Sequence, residues 1–588
     1  MMWWKRITDS LLLIFTVLLP LKFTHALGIP AVPASYWGDF FSLIHTGWSP
    51  HIFALVSGCL LTVSVLQDGF RRKQSSMQLT LWMLLAFASL AGCVRASALE
   101  YVRQTLDVIF GLACFAGTVF LAIRRDETFA EKLKVAMAAG VVLCAISGWD
   151  QIAGSMEDVR EYVKEKQLDS AFSDAMNRQI ASNRIYGTFQ LSNTYAGYLA
   201  AFLPLLVWLV VRWAGKHVKP ERPAQWLLGI ISGAMILVPM IMTGSRGAIL
   251  SLTAGLFTVL FLVGNSRQRK YLAAGGVFAA AGITLLIIFW RGAESLIFRL
   301  DYDFAALKMM LEHPFTGTGW GDFFHEYPAK KLLINDETPH SPHNLVLFFG
   351  SQSGLMGFLL AAALPLWPLY RGIKALLERK KEDNGMWTER TVRLGILMAS
   401  MMILTIDAML EVGIESPAYA TALILFSSLI FAETGIPELT PFRHWKLPPV
   451  RHAALAVVAI GTAAAAGYEI CREKAFSELY ETVYPQFSRN AELKAPHPQL
   501  VLQKYRNAPQ DSPFVHLTMA AYLEMTGNDQ SAIKTLEKAI ILAPEDISAH
   551  RRRHRLLKKI NADSGDVRKE LNWILNADPN NPANQKLQ

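Results

Sequence analysis

Three clusters in this chain combine fixed cations with histidine. They are Arg184-Ile185-Tyr186-Gly187-Thr188-Phe189 followed by Asn193, then Thr243-Gly244-Ser245-Arg246-Gly247-Ala248, and His340-Ser341-Pro342-His343-Asn344-Leu345. A guanidinium fork binds phosphate oxygens through two parallel hydrogen bonds, so Arg184 and Arg246 have the chemistry to hold such a group. Arg246 occupies a very short turn in which the glycines permit tight backbone geometry and expose the side chain. A neutral imidazole can accept a proton, and general-base catalysis of that kind typically contributes about 10² to 10⁴-fold. His343 follows Pro342 at what the pattern predicts to be the first turn of a helix, where the positive end of the helix dipole disfavours imidazolium. Plainer readings stand beside these: an arginine snorkelling to the membrane surface, a charged loop residue, or an interfacial or capping histidine. His340 and His343 have the spacing of a metal pair, yet no nearby Cys or acidic motif completes a ligand set, so neither metal nor cofactor is expected. Asp301-Tyr302-Asp303 looks like the acidic pair with which nucleotide-sugar transferases hold a metal, but reads more simply as loop polarity.

The elements that must position these residues are membrane helices. Of 588 residues, 52% are hydrophobic and 18% charged, and the apolar residues come in blocks of about 20, the length that crosses a bilayer core. About thirteen spans are predicted, near 11–29, 51–67, 79–94, 105–123, 133–152, 191–212, 225–242, 248–264, 271–290, 343–370, 392–412, 418–433 and 452–469. The fold class is therefore all-α, a polytopic transmembrane bundle. The first block follows Lys5 and Arg6 and reads as a retained span rather than a signal peptide cleaved near Thr24-His25-Ala26. The net charge of +9 does not indicate a nucleic-acid partner, because the basic residues cluster in alternate short loops: Arg71-Arg72-Lys73, Arg124-Arg125, Arg212 to Arg222, Arg267 to Lys270 and Arg371 to Arg390. Such clusters orient the bundle with those loops and the N-terminus in the cytoplasm. An odd number of spans then delivers the C-terminus outside, and all three clusters fall at extracytoplasmic span ends. Cys59, Cys93, Cys114 and Cys144 lie in predicted spans and Cys471 outside them, so no disulfide framework is expected.

Two extracytoplasmic loops, about 153–190 and 291–342, are longer than a connection requires, and long ordered loops tend to carry function. After 470 the chain turns polar and helical with a period of roughly 35 residues. Ala508-Pro509-Gln510-Asp511 is echoed by Ala543-Pro544-Glu545-Asp546 and more weakly by Ala577-Asp578-Pro579-Asn580, with Ala521-Tyr522, Gly527, Ala532 and Ala539 between. This predicts a tetratricopeptide-like extracytoplasmic domain at 471–588, beside a membrane domain at 1–470, with a surface for a protein partner. Solenoid units contact mainly their neighbours, so the repeats should be removable without unfolding the membrane domain.

The three clusters occur in the order and topology of the O-antigen ligase and polymerase family, which the chain resembles over about 190–430. Arg299, Ala305-Ala306-Leu307, His313-Pro314-Phe315-Thr316-Gly317-Thr318-Gly319-Trp320-Gly321-Asp322-Phe323, His343-Asn344-Leu345 and Gly354-Leu355-Met356-Gly357 look like its signature domain. Asp303-Phe304 departs from the pattern, standing where an aromatic such as Trp is frequent, and simpler ligases lack the C-terminal repeats.

What the resemblance implies is transfer of a glycan from a polyprenyl-diphosphate carrier to an acceptor at the outer face of the bacterial inner membrane. Arg184 and Arg246 match the arginines near the donor diphosphate, and His343 matches the histidine of the long periplasmic loop. Arg299, His340 and Asn344 are expected to help bind substrate. The expected reaction is an inverting, metal-independent transfer to lipid A core, to a growing glycan or to a protein hydroxyl, with ligase preferred over polymerase or protein O-oligosaccharyltransferase. The competing class is a non-catalytic transporter or assembly protein. A transporter should carry ionisable residues at mid-membrane depth, and Asp407 and Glu411 are the chief candidates for that.

Overall fold

The computed structural model describes residues 2–25, 47–68, 77–126, 128–165, 181–217, 222–264, 267–272, 274–275, 293–334, 337–383, 388–435, 448–484 and 497–587. The basic run at 71–73, most of the span expected at 271–290 and residues 166–180 of the first long loop lie outside them. Among the described residues every regular element is helical. Nine of these helices are long and apolar enough to cross a membrane, and a shorter apolar helix covers Gln78–Cys93.

The first set comprises α1 (Met2–Lys22), α2 (Pro50–Asp68), α3 (Met77–Ala88), α4 (Leu99–Arg125), α5 (Phe129–Asp150) and the polar α6 (Met156–Glu165). The second comprises α7 (Ser192–His217), α8 (Arg222–Met242), α9 (Arg246–Val263), α10 (Ala293–Glu312), α11 (Phe323–Lys330), α12 (Leu345–Glu382), α13 (Glu389–Ala408), α14 (Pro417–Thr434) and α15 (Pro448–Val483). The centre of the bundle is α4 and α14, whose residues are buried almost all round. In lipid, association relies on close packing rather than on hydrophobic burial, so small residues mark the tightest crossings. A Cβ at Gly255 of α9 would lie 3.0 Å from the Ile403 backbone nitrogen of α13, so this glycine lets the two helices meet backbone to backbone.

Helix α12 runs twelve residues past the expected span end at 370, and it is broken at Gly354 (φ 82°). The break frees backbone groups, which the glycine-rich loop before α11 takes up. Pro314 O accepts from Leu355 N at 2.7 Å, and Ser351 O accepts from Thr318 N at 2.8 Å. The loop can approach because Gly317, Gly319 and Gly321 all have positive φ (64°, 115° and 85°), a region that side chains disfavour. Gln352 Oε1 accepts from Gly321 N (2.8 Å), and buried Trp320 donates its indole N–H to Ser89 O (2.7 Å). The motif is thus the fastener that holds the second long loop to the bundle.

Helix α15 continues unbroken past residue 470, where the sequence changes character, and ends at Val483. Leu479 and Val483 share a core with Val501, Val515 and Met519 of the tail. The tail consists of α16 (Pro498–Asn507), α17 (Pro513–Met525), α18 (Asp529–Leu542), α19 (Ile547–Lys559) and α20 (Ser564–Ala577), followed by a last short turn at Pro582–Gln585. It also folds back on the membrane part. Asp511 receives Arg103 and Arg472, each at 2.7 Å. Lys331 Nζ, in the second long loop, meets Asp578 Oδ1 at 2.9 Å with both side chains fully buried, and Asn580 donates to Lys331 O at 3.1 Å.

Candidate active site

The turn Thr243-Gly244-Ser245 delivers Arg246 as the sequence pattern predicts. Gly244 has φ 67°, Thr243 Oγ1 accepts from Ser245 N (3.1 Å), and Ser245 Oγ accepts from Ala248 N (3.3 Å) to cap α9. Arg246 is exposed at the first position of that helix. Arg184 reaches the same turn from the loop before α7: its Nε donates to Thr243 O at 2.6 Å and its Nη2 to Asn193 Oδ1. Burial lowers the Arg184 pKa, Glu411 opposes that, and the positive fields of Arg246 and Arg299 add to it.

Arg299 projects from α10 and forms an ion pair with Glu411, which is nearly completely buried between α13 and α14. Glu411 also hydrogen-bonds Asn193 and feels Arg184, and a Cβ at Gly247 would sit 3.4 Å from its Oε1. One carboxylate therefore sits among three guanidinium groups brought in from three separate elements, and the excess positive charge suits a dianionic or polyanionic ligand.

His343 stands beside this cluster. Burial pushes its pKa down to about 3, with Arg299 and His340 contributing in the same direction, so the ring is neutral at physiological pH. Its ring lies 5.6 Å from that of Tyr302. The expectation that His343 belongs to the first helical turn is corrected by the structure: α12 begins at Leu345 with Asn344 as its N-cap, accepting from Val346 N (3.1 Å) and Leu347 N (3.2 Å). His343 precedes the cap with φ 58°, in the left-handed region, a conformation costing a non-glycine residue about 1–3 kcal/mol. Its neutrality thus has burial as the first cause, rather than the helix dipole.

His340 is stacked on Phe324 (centroids 4.5 Å apart, planes 9°) and is pushed down to about 4 by burial and by His325. Asn344 is occupied by capping and by a hydrogen bond to Asp303, whose pKa burial raises to about 6 against the opposing field of Arg299. Asp301 accepts from Tyr327 OH and from Leu332 N, both at 2.8 Å, so it braces the loop. The structure therefore brings Arg184, Arg246, Arg299 and His343 together and gives His340 and Asn344 packing and capping partners next to them.

Glu411 and Glu415 were not among the expected site residues. Glu415 is buried, hydrogen-bonds Ser341 of the His340–Asn344 segment, and is pushed up to about 8 by burial. Asp407, near the end of α13, accepts from Tyr419 OH at 2.6 Å. The signal was available: three acids in the short stretch 407–415 between two apolar spans have no reason to be there unless cations or hydroxyls meet them. Asp407 lies at the end of α13, and Glu411 and Glu415 lie in the connection from α13 to α14, at the cluster's end of these helices.

Residues 231–362 match the family model described as O-antigen ligase. Over this stretch the chain is similar to the O-antigen ligase family. The matched segment is narrower than the 190–430 over which the resemblance is read. It takes in Arg246, Arg299, the glycine motif, His340, His343 and Asn344, while Arg184, Glu411 and the tail lie outside it. No curated protein matches the chain. Together with the nine long apolar helices among the described residues, the matched segment points to a multi-pass membrane protein with a segment similar to O-antigen ligases.

Proposed function

We propose that this protein transfers a glycan from a polyprenyl-diphosphate carrier to an acceptor hydroxyl at the outer face of the inner membrane, with a ligase-type acceptor. The observation that carries this reading is the gathering of Arg184, Arg246 and Arg299 around Glu411, with neutral His343 beside Arg299. In the reaction the acceptor oxygen attacks the sugar C1, and its proton passes to the free imidazole nitrogen of His343. The C1–O bond to the carrier breaks, and the bonding pair leaves with the diphosphate. Arg184 and Arg246 bind the diphosphate and stabilise the charge it gains, Arg299 borders both partners, and Glu411 orients Arg299 and keeps the three guanidiniums from repelling one another apart. Attack from the face opposite the leaving group inverts the anomeric configuration.

Equilibrium binding of a fluorescent polyprenyl-diphosphate oligosaccharide separates these roles. Arg184→Ala and Arg246→Ala should each weaken donor binding by about tenfold or more, the loss expected for charge-assisted hydrogen bonds of about 1.5–3 kcal/mol. Lysine at either position should restore it only in part, because it lacks the planar fork. His343→Ala should leave donor binding near wild type. Unchanged donor affinity in both arginine variants would remove the diphosphate assignment.

A further inference from the structure

The outward face of α10 carries an apolar stripe that nothing among the described residues covers. Ile297, Leu300, Phe304, Leu307 and Leu311 recur at alternating intervals of three and four residues, and the stripe continues into Phe315. All six are exposed, Leu300 to 61%, Leu311 to 67% and Phe315 to 86%. The opposite face of the helix is spent on packing: Tyr302, Ala305, Ala306 and Met309 are buried with Phe323 and Tyr327 of α11. At a rise of 1.5 Å per residue the stripe from Ile297 to Leu311 is about 21 Å long, far more than the scattered apolar exposure normal at a surface.

Its surroundings identify what covers it. The C-terminal end of the stripe is hydrogen-bonded to a membrane span, since Leu355 N of α12 donates to Pro314 O at 2.7 Å and Gly354 lies against Phe315. Leu355, Met356 and Leu359 of that span are themselves exposed, an apolar face on a helix long and apolar enough to cross a membrane. The stripe is thus continuous with that apolar face. The charged residues Lys308 and Glu312 border it rather than interrupt it, the pattern of a helix lying in the membrane interface with its apolar side sunk about 5–10 Å.

We infer that α10 is an interfacial helix whose Ile297–Phe315 stripe is immersed among the acyl chains of the bilayer leaflet at the site end of the bundle. The immersion fixes the depth of Arg299 on the same helix, and so of the Arg299–Glu411 pair. If the glycan-transfer reading is correct, this holds the pair at the level where a lipid-borne diphosphate emerges from the membrane. A heptad-like stripe could otherwise seal two copies of the chain together, and the test separates these occupants.

Nitroxide side chains introduced one at a time by genetically encoded labelling at Leu300, Leu307 and Leu311, with Lys308 as the polar reference, are read by power saturation in full-length protein in liposomes. The expected result is that oxygen relaxes the three stripe labels more than a water-soluble nickel chelate does, and that this preference is lost at Lys308. Greater chelate than oxygen accessibility at all three stripe positions would overturn the inference, as would dipolar broadening between labels of neighbouring molecules. Because the readout is independent of turnover, it can fail while the transfer reading survives, and the reverse.

Discussion

Replacing His343 by alanine should lower the turnover of glycan transfer by about 10² to 10⁴-fold, the range for loss of a positioned general base, while donor binding persists. The ratio of wild-type to His343→Ala rates should also stay constant from pH 8 to pH 5. Burial and the field of Arg299 hold the His343 pKa down to about 3, so the ring is unprotonated throughout that window and gains a proton only well below it. An imidazole with the ordinary value near 6.5 would instead lose its advantage as the pH fell through 6.5. Other groups titrate in this interval, Asp303 near 6 among them, but they act on numerator and denominator alike, so the ratio isolates His343. A ratio that collapses near pH 6.5 would show a solvated, titrating histidine and would remove the argument from burial.

Asp578→Ala should release the end of the tail from the second long loop. The Lys331–Asp578 pair is fully buried on both sides, and removing one partner of such a pair costs about 3–5 kcal/mol because the other charge stays buried with its main compensation gone. Asp578 also accepts from Asn581 Nδ2 at 2.8 Å, which adds to the loss. Hydrogen exchange should therefore accelerate in 323–334 and in 578–587, with little change in α4 or α14. Exchanging both charges for apolar residues, Lys331→Met with Asp578→Leu, should recover most of the protection, since a buried pair is commonly replaceable by well-packed hydrophobic groups. The contrast tells docking from simple misfolding. Unchanged exchange in Asp578→Ala would mean that the tail does not brace the loop. The same contact bears on the modularity expected of repeats: truncation after residue 500 removes Asp578 from Lys331 and Asp511 from Arg103 and Arg472, which keep Glu469, so the membrane helices should persist while the loop carrying Arg299 and His343 loosens.

Much of this architecture is legible in the sequence because a bilayer leaves the backbone few options. An apolar block of about 20 residues must be a helix, and the ranges read for 51–67, 225–242 and 418–433 fall within a residue or a few of Pro50–Asp68, Arg222–Met242 and Pro417–Thr434. The Gly244 turn is legible for a similar reason, since only one short hydrophilic stretch separates two spans. Hydropathy reports solvent rather than helicity, however. Beyond Gly467, α15 leaves the apolar block but continues to Val483, because its residues still favour helix and gain a tail core to pack against. Pro342 misled in a related way. Proline favours a first helical turn, but Asn344 is the better cap and accepts two backbone N–H groups, which sets the helix start two residues later and leaves His343 in a left-handed conformation. Long-range partners are the least legible of all. Nothing local to Lys331 points to Asp578, and nothing local to Arg299 points to Glu411; both pairs are products of folding.

The most direct measurement of the central claim is a reconstituted reaction. Purified full-length protein in liposomes is given a polyprenyl-diphosphate oligosaccharide with lipid A core, with glycan and with a hydroxylated peptide in parallel, and the products are resolved by mass and by the anomeric configuration of the new linkage. The account predicts a product on the lipid acceptor whose mass is increased by the intact oligosaccharide, with the anomeric centre inverted and polyprenyl diphosphate released in equal amount. This product should be formed by the wild type and lost in His343→Ala. Donor that binds and is recovered unchanged with every acceptor, or a product that forms equally well in His343→Ala, would contradict it.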